Sequence, residues 1–245
     1  MLIKTHFRGK EYSADLSKPL DISIPINEGD NNPNCYYARD VSFTTIRSGN
    51  FIGSVKEGGS VNYQEITITP HGNGTHTETY GHLSSDEGAT ITSLIKQFHC
   101  VGQLISVAPH LFPSEDQIIL CDTIKGIIRP GIEALIVRTL PNNDEKKMKK
   151  YSGTNPPYLE AKLTQYLRDQ GIKHLLVDLP SVDKEVDGGA LAAHKSFWGL
   201  PNDVRKECTI TELTFVDNRI EDGLYLLNLQ TLTIDVDASP RRPVI

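Results

Sequence analysis

The chain has no apolar run near the roughly 20 residues that a membrane-spanning helix requires, so we expect none. Residues 1–17 also lack an apolar core of the length found in secretory signals. The default expectation is therefore a cytoplasmic protein without a membrane partner. The formal charge of −6 argues against a nucleic-acid partner, because phosphate binding needs a basic face.

The sequence also lacks the common cysteine and glycine motifs. Its four cysteines are far apart and form no CxxC pair, so we expect buried thiols, not a thiolate zinc site or a redox centre. The glycine pairs Gly58-Gly59 and Gly188-Gly189 do not belong to a GxGxxG pattern, which argues against a dinucleotide-binding fold.

The hydrophobic and charged fractions, 38% and 23% of 245 residues, are ordinary for a globular protein with a sizeable core. No linker, repeat or low-complexity tract divides the chain, and we expect a single domain over residues 1–245. Short strand-like runs dominate, among them 20–26 and 63–69, whereas only 90–98 and 158–170 are typical of helices. This pattern predicts an α/β or α+β domain built on a mixed sheet or barrel-like core with few helices.

The densest polar segment is Pro70 to His82, with the sequence PHGNGTHTETYGH. It contains His71, His76, Glu78 and His82, and imidazole and carboxylate groups are good ligands for zinc, manganese or iron. If the chain after Gly74 is extended, His76 and Glu78 point to the same side, because strand side chains repeat every two residues. The alternative is that these are separate surface or loop residues.

The stretch GTHTETYGH resembles the signature H-x-G-T-H-x-D-x-P-x-H of the metal-dependent cyclase family, which includes the bacterial kynurenine formamidases. Other matches follow in the same order along nearly the whole chain. They are ADLSKPL near the N-terminus, HLLVDLPSVD, Ala193-His194, TITEL, and ASPRRP at the C-terminal end. Each match is weak alone, but their shared order supports the resemblance.

The resemblance implies a swivelling β/β/α fold, a homodimer and a site for one or two divalent ions, with Zn²⁺ favoured and Mn²⁺ possible. The implied metal ligands are His71, His76, Glu78, His194 and Glu212, while His82 is implied to move protons. An ion of this kind activates a water molecule and polarises a carbonyl group, and an imidazole can carry protons near neutral pH.

Several positions depart from the family pattern. Glu78 stands in place of aspartate and Tyr80 in place of proline, and the first histidine, His71, falls one residue early because position 72 is glycine. A longer segment between His194 and Glu212 carries the only tryptophan, Trp198, which either shapes the substrate pocket or anchors an insertion in the core.

The leading hypothesis is a metal-dependent hydrolase of small-molecule amides, similar to the arylformamidases of tryptophan breakdown. Two alternatives stay open. One is a non-catalytic binding protein with the same fold. The other is a metal-dependent isomerase or dehydratase, since metal ligands fix the Lewis acid and not the bond that is broken.

Overall fold

A computed structural model describes all residues from 1 to 245. The strands, in chain order, are β1 (Leu2–Phe7), β2 (Lys10–Asp15), β3 (Ser42–Thr45), β4 (Arg47–Ser48), β5 (Phe51–Ile52), β6 (Gln64–Thr67), β7 (His76–Glu78), β8 (His99–Val107), β9 (His110–Leu111), β10 (Gln117–Ile119), β11 (Ala134–Thr139), β12 (Tyr158–Leu159), β13 (His174–Val177), β14 (Thr209–Glu212), β15 (Gly223–Asn228) and β16 (Ala238–Pro240). The α-helices are α1 (Pro70–Asn73), α2 (Ile91–Leu94), α3 (Cys121–Ile124), α4 (Ala161–Asp169) and α5 (Ala192–Trp198). Short 3-10 helices lie at Val55–Glu57, Tyr80–Leu83 and Asp144–Lys147.

A seven-stranded mixed sheet organises the fold, with the order β15-β8-β11-β13-β14-β7-β16. The inner strands β8, β11, β13 and β14 are parallel, while β15, β7 and β16 join antiparallel. The predicted α/β class, with few helices around a mixed sheet, is confirmed. None of the helices has the length and apolar character needed to cross a membrane.

The core lies on both faces of this sheet, as the central strand β11 shows. Its residues Leu135 and Val137 belong to one buried cluster, together with Leu163 of α4 and Phe197 of α5. The intervening Ile136 belongs to a second cluster on the opposite face. A parallel strand buried on both faces has a continuous apolar sequence, which is why residues 133–140 (EALIVRTL) do not alternate between apolar and polar.

Two of the predicted elements are wrong. Residues 20–26 form no strand and make only an isolated bridge, Asp21↔Val244, although Ile22 and Ile24 are buried as their alternation suggested. The predicted helix over 90–98 is a single turn, Ile91–Leu94, because Ile95 adopts an extended conformation at its end.

Three helices were not predicted: the single turns α1 and α3, and the seven-residue α5. Helix α5 begins after Leu191, which has a left-handed backbone (φ 46°) and provides no side-chain cap. It therefore carries none of the start signals by which short helices are recognised in a sequence.

Candidate metal centre

The site is built on β7, the three-residue strand between β14 and β16. His76 and Glu78 lie two residues apart and so share one face of the strand. Glu212, the last residue of β14, lies directly opposite His76 in the antiparallel register. All three side chains are buried, and they meet where the parallel part of the sheet ends, a common location for sites in α/β folds.

His76 is held in one orientation by the turn before it. Its Nδ1 lies 2.9 Å from the carbonyl oxygen of Gly74, which can only accept, so Nδ1 carries the hydrogen. Thr75 fixes the same turn, since its hydroxyl donates to Leu213 O at 2.5 Å and accepts from Ile24 N at 2.8 Å. The lone pair on His76 Nε2 therefore points into the site, 3.4 Å from Glu212 Oε2.

Helix α5 supplies the next histidine. His194 Nδ1 lies 2.6 Å from Asp183 Oδ2, and its Nε2 lies 3.0 Å from Glu78 Oε1. Asp183 also accepts the backbone N–H groups of Ala193 and His194 at the start of the helix. A carboxylate on the far nitrogen of a histidine is the usual support for a metal-binding imidazole.

The charges in this group are strongly coupled. Burial alone would lower the pKa of His194, but the charge of Glu78 and the hydrogen bonds with Asp183 and Glu78 raise it to about 10. Burial would likewise raise the pKa of Glu78, yet His194 and His71 hold it well below its ordinary range. Glu78 therefore stays ionised, and its buried negative charge requires nearby positive charge.

Glu212 completes this buried half of the site. Its Oε1 accepts the backbone N–H of Val182 at 3.0 Å, which leaves Oε2 directed at His76. Oε1 also lies 3.7 Å from His194 Nε2.

His71 and His82 form the half that faces solvent, with side chains 25% and 32% exposed. His71, on α1, places Nδ1 3.2 Å from Glu78 Oε2 and Nε2 3.0 Å from Asp237 Oδ2. His82, on the 3-10 turn after β7, places Nδ1 3.4 Å from the same Asp237 oxygen. Burial would lower the pKa of His71, but hydrogen bonds to Asp237 and Glu78 raise it to about 10.

The donor set fits a divalent cation. One ligand atom from each of His71, His76 and Glu78 lies within 4.8 Å of the others, and the same holds for Glu78, His82 and His194. His76 Nε2 is buried and has no hydrogen-bond partner, an arrangement that costs free energy unless an electrophile occupies the site. Imidazole nitrogens and carboxylate oxygens are the ligands preferred by Zn²⁺ and Mn²⁺.

Comparison with known proteins places the chain in a family. A family model described as "Putative cyclase" matches residues 14–184. The chain belongs to this cyclase family.

Among curated relatives of the cyclase family, the chain is similar to kynurenine formamidases. It is 27% identical to that of Bacillus cereus over 232 residues, covering 94% of this chain and 95% of the relative. It is 29% identical to that of Bacillus anthracis over 230 residues, covering 94% and 97%.

Solved structures show the same fold. A predicted metal-dependent hydrolase from Bacillus stearothermophilus superposes with a TM-score of 0.66 at 18% identity, covering 93% of this chain and 97% of that one. An isatin hydrolase bound to the product analogue thioisatinate superposes with a TM-score of 0.63 at 16% identity, covering 93% and 91%.

The structure brings together every site residue that the sequence singled out: His71, His76, Glu78, His82, His194 and Glu212. Sequence reasoning missed Asp183 and Asp237. Each falls in or beside a segment that resembles the family, yet neither could be assigned a partner, since one depends on helix α5 and the other on the pairing of β16 with β7.

Two aromatic residues border the site. Trp198 is fully buried, donates Nε1–H to Cys208 O at 3.0 Å and places its ring 5.4 Å from that of His194, so it anchors α5. Burial and the nearby charge of Glu212 raise the pKa of Tyr36, whose hydroxyl lies 3.5 Å from Pro180 O. Tyr36 and Tyr37 both have a left-handed backbone (φ 55° and 54°), an uncommon conformation that concentrates at functional sites.

Proposed function

We propose that this protein is a metal-dependent hydrolase of small-molecule amides that cleaves aryl formamides. The activity class is supported by the family and by the donor set of the site. The choice of aryl formamides is supported by the kynurenine formamidases that the chain resembles over 94% of its length.

One observation carries the proposal, namely the unpartnered Nε2 of His76. This atom is fully buried beside Glu212 and in a cluster with Glu78, and its tautomer is fixed by the Gly74 carbonyl. A nitrogen lone pair held in this way can bind a metal without rearrangement, and a preorganised ligand gives tighter binding. We assign His76, Glu78, His194 and Glu212 as the inner ligands and His71 as the outer one.

A divalent ion held by these residues would supply an activated water and would polarise the amide carbonyl. The chain's own contribution is to position groups and move protons. His82 is partly exposed and is oriented by Asp237 through Nδ1, so its Nε2 is free for proton transfer. We propose that it takes a proton from the attacking water and returns it to the leaving nitrogen.

The finer properties belong to the same proposal. Zn²⁺ is the expected ion and Mn²⁺ the alternative, the expected assembly is a homodimer, and the expected role is in tryptophan breakdown. Location in the cytoplasm stays a prediction.

The test is hydrolysis of N-formylkynurenine by protein freed of metal and then reloaded with Zn²⁺ or Mn²⁺. We expect turnover only after loading, and we expect His82→Ala to lower kcat by about 10²- to 10⁴-fold while metal content is retained. His110→Ala, an exposed histidine outside the site, is the control.

Isatin should be assayed in parallel, because one structural neighbour is an isatin hydrolase. Turnover of isatin and not of the formamide would replace the substrate class by cyclic amides. A loaded protein that hydrolyses no formamide, lactone or cyclic amide would refute the proposal and favour a binding protein, an isomerase or a dehydratase.

A further inference from the structure

We infer that Asp237 is a positioning residue that holds His71 as a metal ligand through Nδ1, replacing the histidine that the family signature places at position 72. The inference rests on the metal-dependent part of the proposed function and extends it to a residue outside the family motif. It is carried by the packing at position 72, by the two contacts of the His71 ring and by the anchoring of Asp237.

Position 72 cannot carry a ligand in this chain. A Cβ built on Gly72 would lie 2.3 Å from Ala38 Cβ and 3.1 Å from Cys35 O. Cys35 N also donates to Gly72 O at 3.0 Å, which locks the turn formed by residues 35–38 against α1. The turn therefore occupies the space that a side chain at position 72 would need.

The two nitrogens of the His71 imidazole contact two different carboxylates, those of Asp237 and Glu78. Nε2 lies 3.0 Å from Asp237 Oδ2, and a carboxylate can only accept, so Nε2 carries the hydrogen. Nδ1 faces Glu78 Oε2 at 3.2 Å, on the side of the buried ligands, and donates a hydrogen to this carboxylate while no metal is bound. Because Asp237 keeps the hydrogen on Nε2, Nδ1 is the nitrogen that would lose its hydrogen and bind a metal held by Glu78.

The position of Asp237 is set by the sheet. Strand β16 pairs with β7 so that Ala238 lies opposite Glu78. The backbone N–H of Thr79 donates to Asp237 O at 3.0 Å, which ties the residue to the end of β7. The pairing of β16 with β7 therefore fixes the position of the Asp237 carboxylate.

A competing assignment uses the same atoms. His71, His82 and Asp237 also lie close enough to hold an ion of their own. That ion would need the lone pair of His71 Nε2, the atom that our assignment protonates. The two assignments therefore predict different metal counts and different metal-bound nitrogens.

The test is a double-mutant cycle on metal affinity, measured by competition of Zn²⁺ with a chromophoric chelator. We expect Asp237→Ala to weaken Zn²⁺ binding by about 10- to 100-fold, the usual effect of losing such a support. In a His71→Ala background the same change should have no further effect on Zn²⁺ affinity, because the other contact of Asp237 is with His82, which we assign to proton transfer and not to metal binding. Asp237→Asn, which keeps an acceptor oxygen, should recover part of the loss.

The control is Asp235→Ala, an exposed carboxylate two residues away that contacts Thr90. It should leave Zn²⁺ affinity unchanged. Equal losses from Asp237→Ala with and without His71 would overturn the inference, and so would an unchanged affinity in the single variant.

A second readout does not depend on affinity or activity. In the nitrogen-15 spectrum of the Zn²⁺-loaded protein, we expect His71 to be bound through Nδ1 and protonated at Nε2. Binding through Nε2, or Asp237 coordinating a second ion, would contradict the inference. Loaded protein that shows this pattern but cleaves no amide would refute the proposed function alone.

Discussion

Substitution of Gly72 by alanine tests whether the residue 35–38 turn sets the position of His71. The added Cβ would meet Ala38 Cβ at 2.3 Å, more than 1 Å inside an ordinary contact, which begins at 3.4 Å. Overpacking of this kind costs about 1–3 kcal/mol, and alanine's better helix propensity offsets less than about 1 kcal/mol of it. We expect a net loss of about 1–2 kcal/mol.

For a domain of this size each kcal/mol corresponds to about 2–4 °C, so Tm should fall by roughly 2–8 °C. Zn²⁺ affinity should fall as well, because helix α1 carries His71. The assay is thermal unfolding followed by circular dichroism, with chelator competition on the same samples.

Two controls separate the effect of the clash from the effect of adding a methyl group. Gly126→Ala adds the same methyl group where no atom lies within 4 Å, and it should not lower Tm. Ala38→Gly in the Gly72→Ala background removes the closest clash and should restore part of the stability. A Tm within about 1 °C of the wild type for Gly72→Ala, or no recovery in the double variant, would refute the packing argument.

Two further predictions concern stability. Burial lowers the pKa of His174 to about 3, so the unfolded state binds more protons below about pH 6.5 and stability is lost as the pH falls from there toward 3. Between pH 7 and pH 5, the free energy of unfolding measured in urea should therefore fall by roughly 2 kcal/mol less in His174→Gln than in the wild type. The exposed His110→Gln should show the same fall as the wild type. An equal fall in His174→Gln and the wild type would contradict this prediction. Lys146→Met should lower the free energy of unfolding by about 3–5 kcal/mol, because it leaves the carboxylate of Asp178 buried without its cationic partner. The side chain of Asp178 is 0% exposed and lies 2.8 Å from Lys146 Nζ. Asp178→Asn in that background should recover part of the loss. Lys125→Met, at an exposed ion pair, should leave the free energy of unfolding nearly unchanged, and a similar cost for both lysines would count against the buried pair.

Much of the site could be predicted from the sequence, because His76 and Glu78 form a local pattern on an extended segment. His194 and Glu212 came from the family resemblance, and their distance along the chain gave no local sign of their contact. Asp237 could not be placed, since its role depends on β16 pairing with β7 across more than 150 residues.

The fold was predictable where burial and hydrogen bonding agree. Helix α4 lies within the predicted segment 158–170, has its apolar residues at helical spacing, and was confirmed. Residues 20–26 alternate because Ile22 and Ile24 are buried, but Pro25 has no N–H to donate and Ile24 N donates to Thr75 Oγ1 instead of to a neighbouring strand. Alternation predicts which side chains are buried, and a strand needs backbone partners as well.

The most direct test of the account is the metal content of the purified protein after loading with Zn²⁺ and dialysis. We predict about one equivalent or more per chain, falling below about a tenth of an equivalent in His76→Ala, because its Nε2 is the preorganised ligand. His99→Ala, at an exposed histidine outside the site, should keep the wild-type content. A wild-type protein without bound zinc, or a His76→Ala variant that retains it, would contradict the central claim.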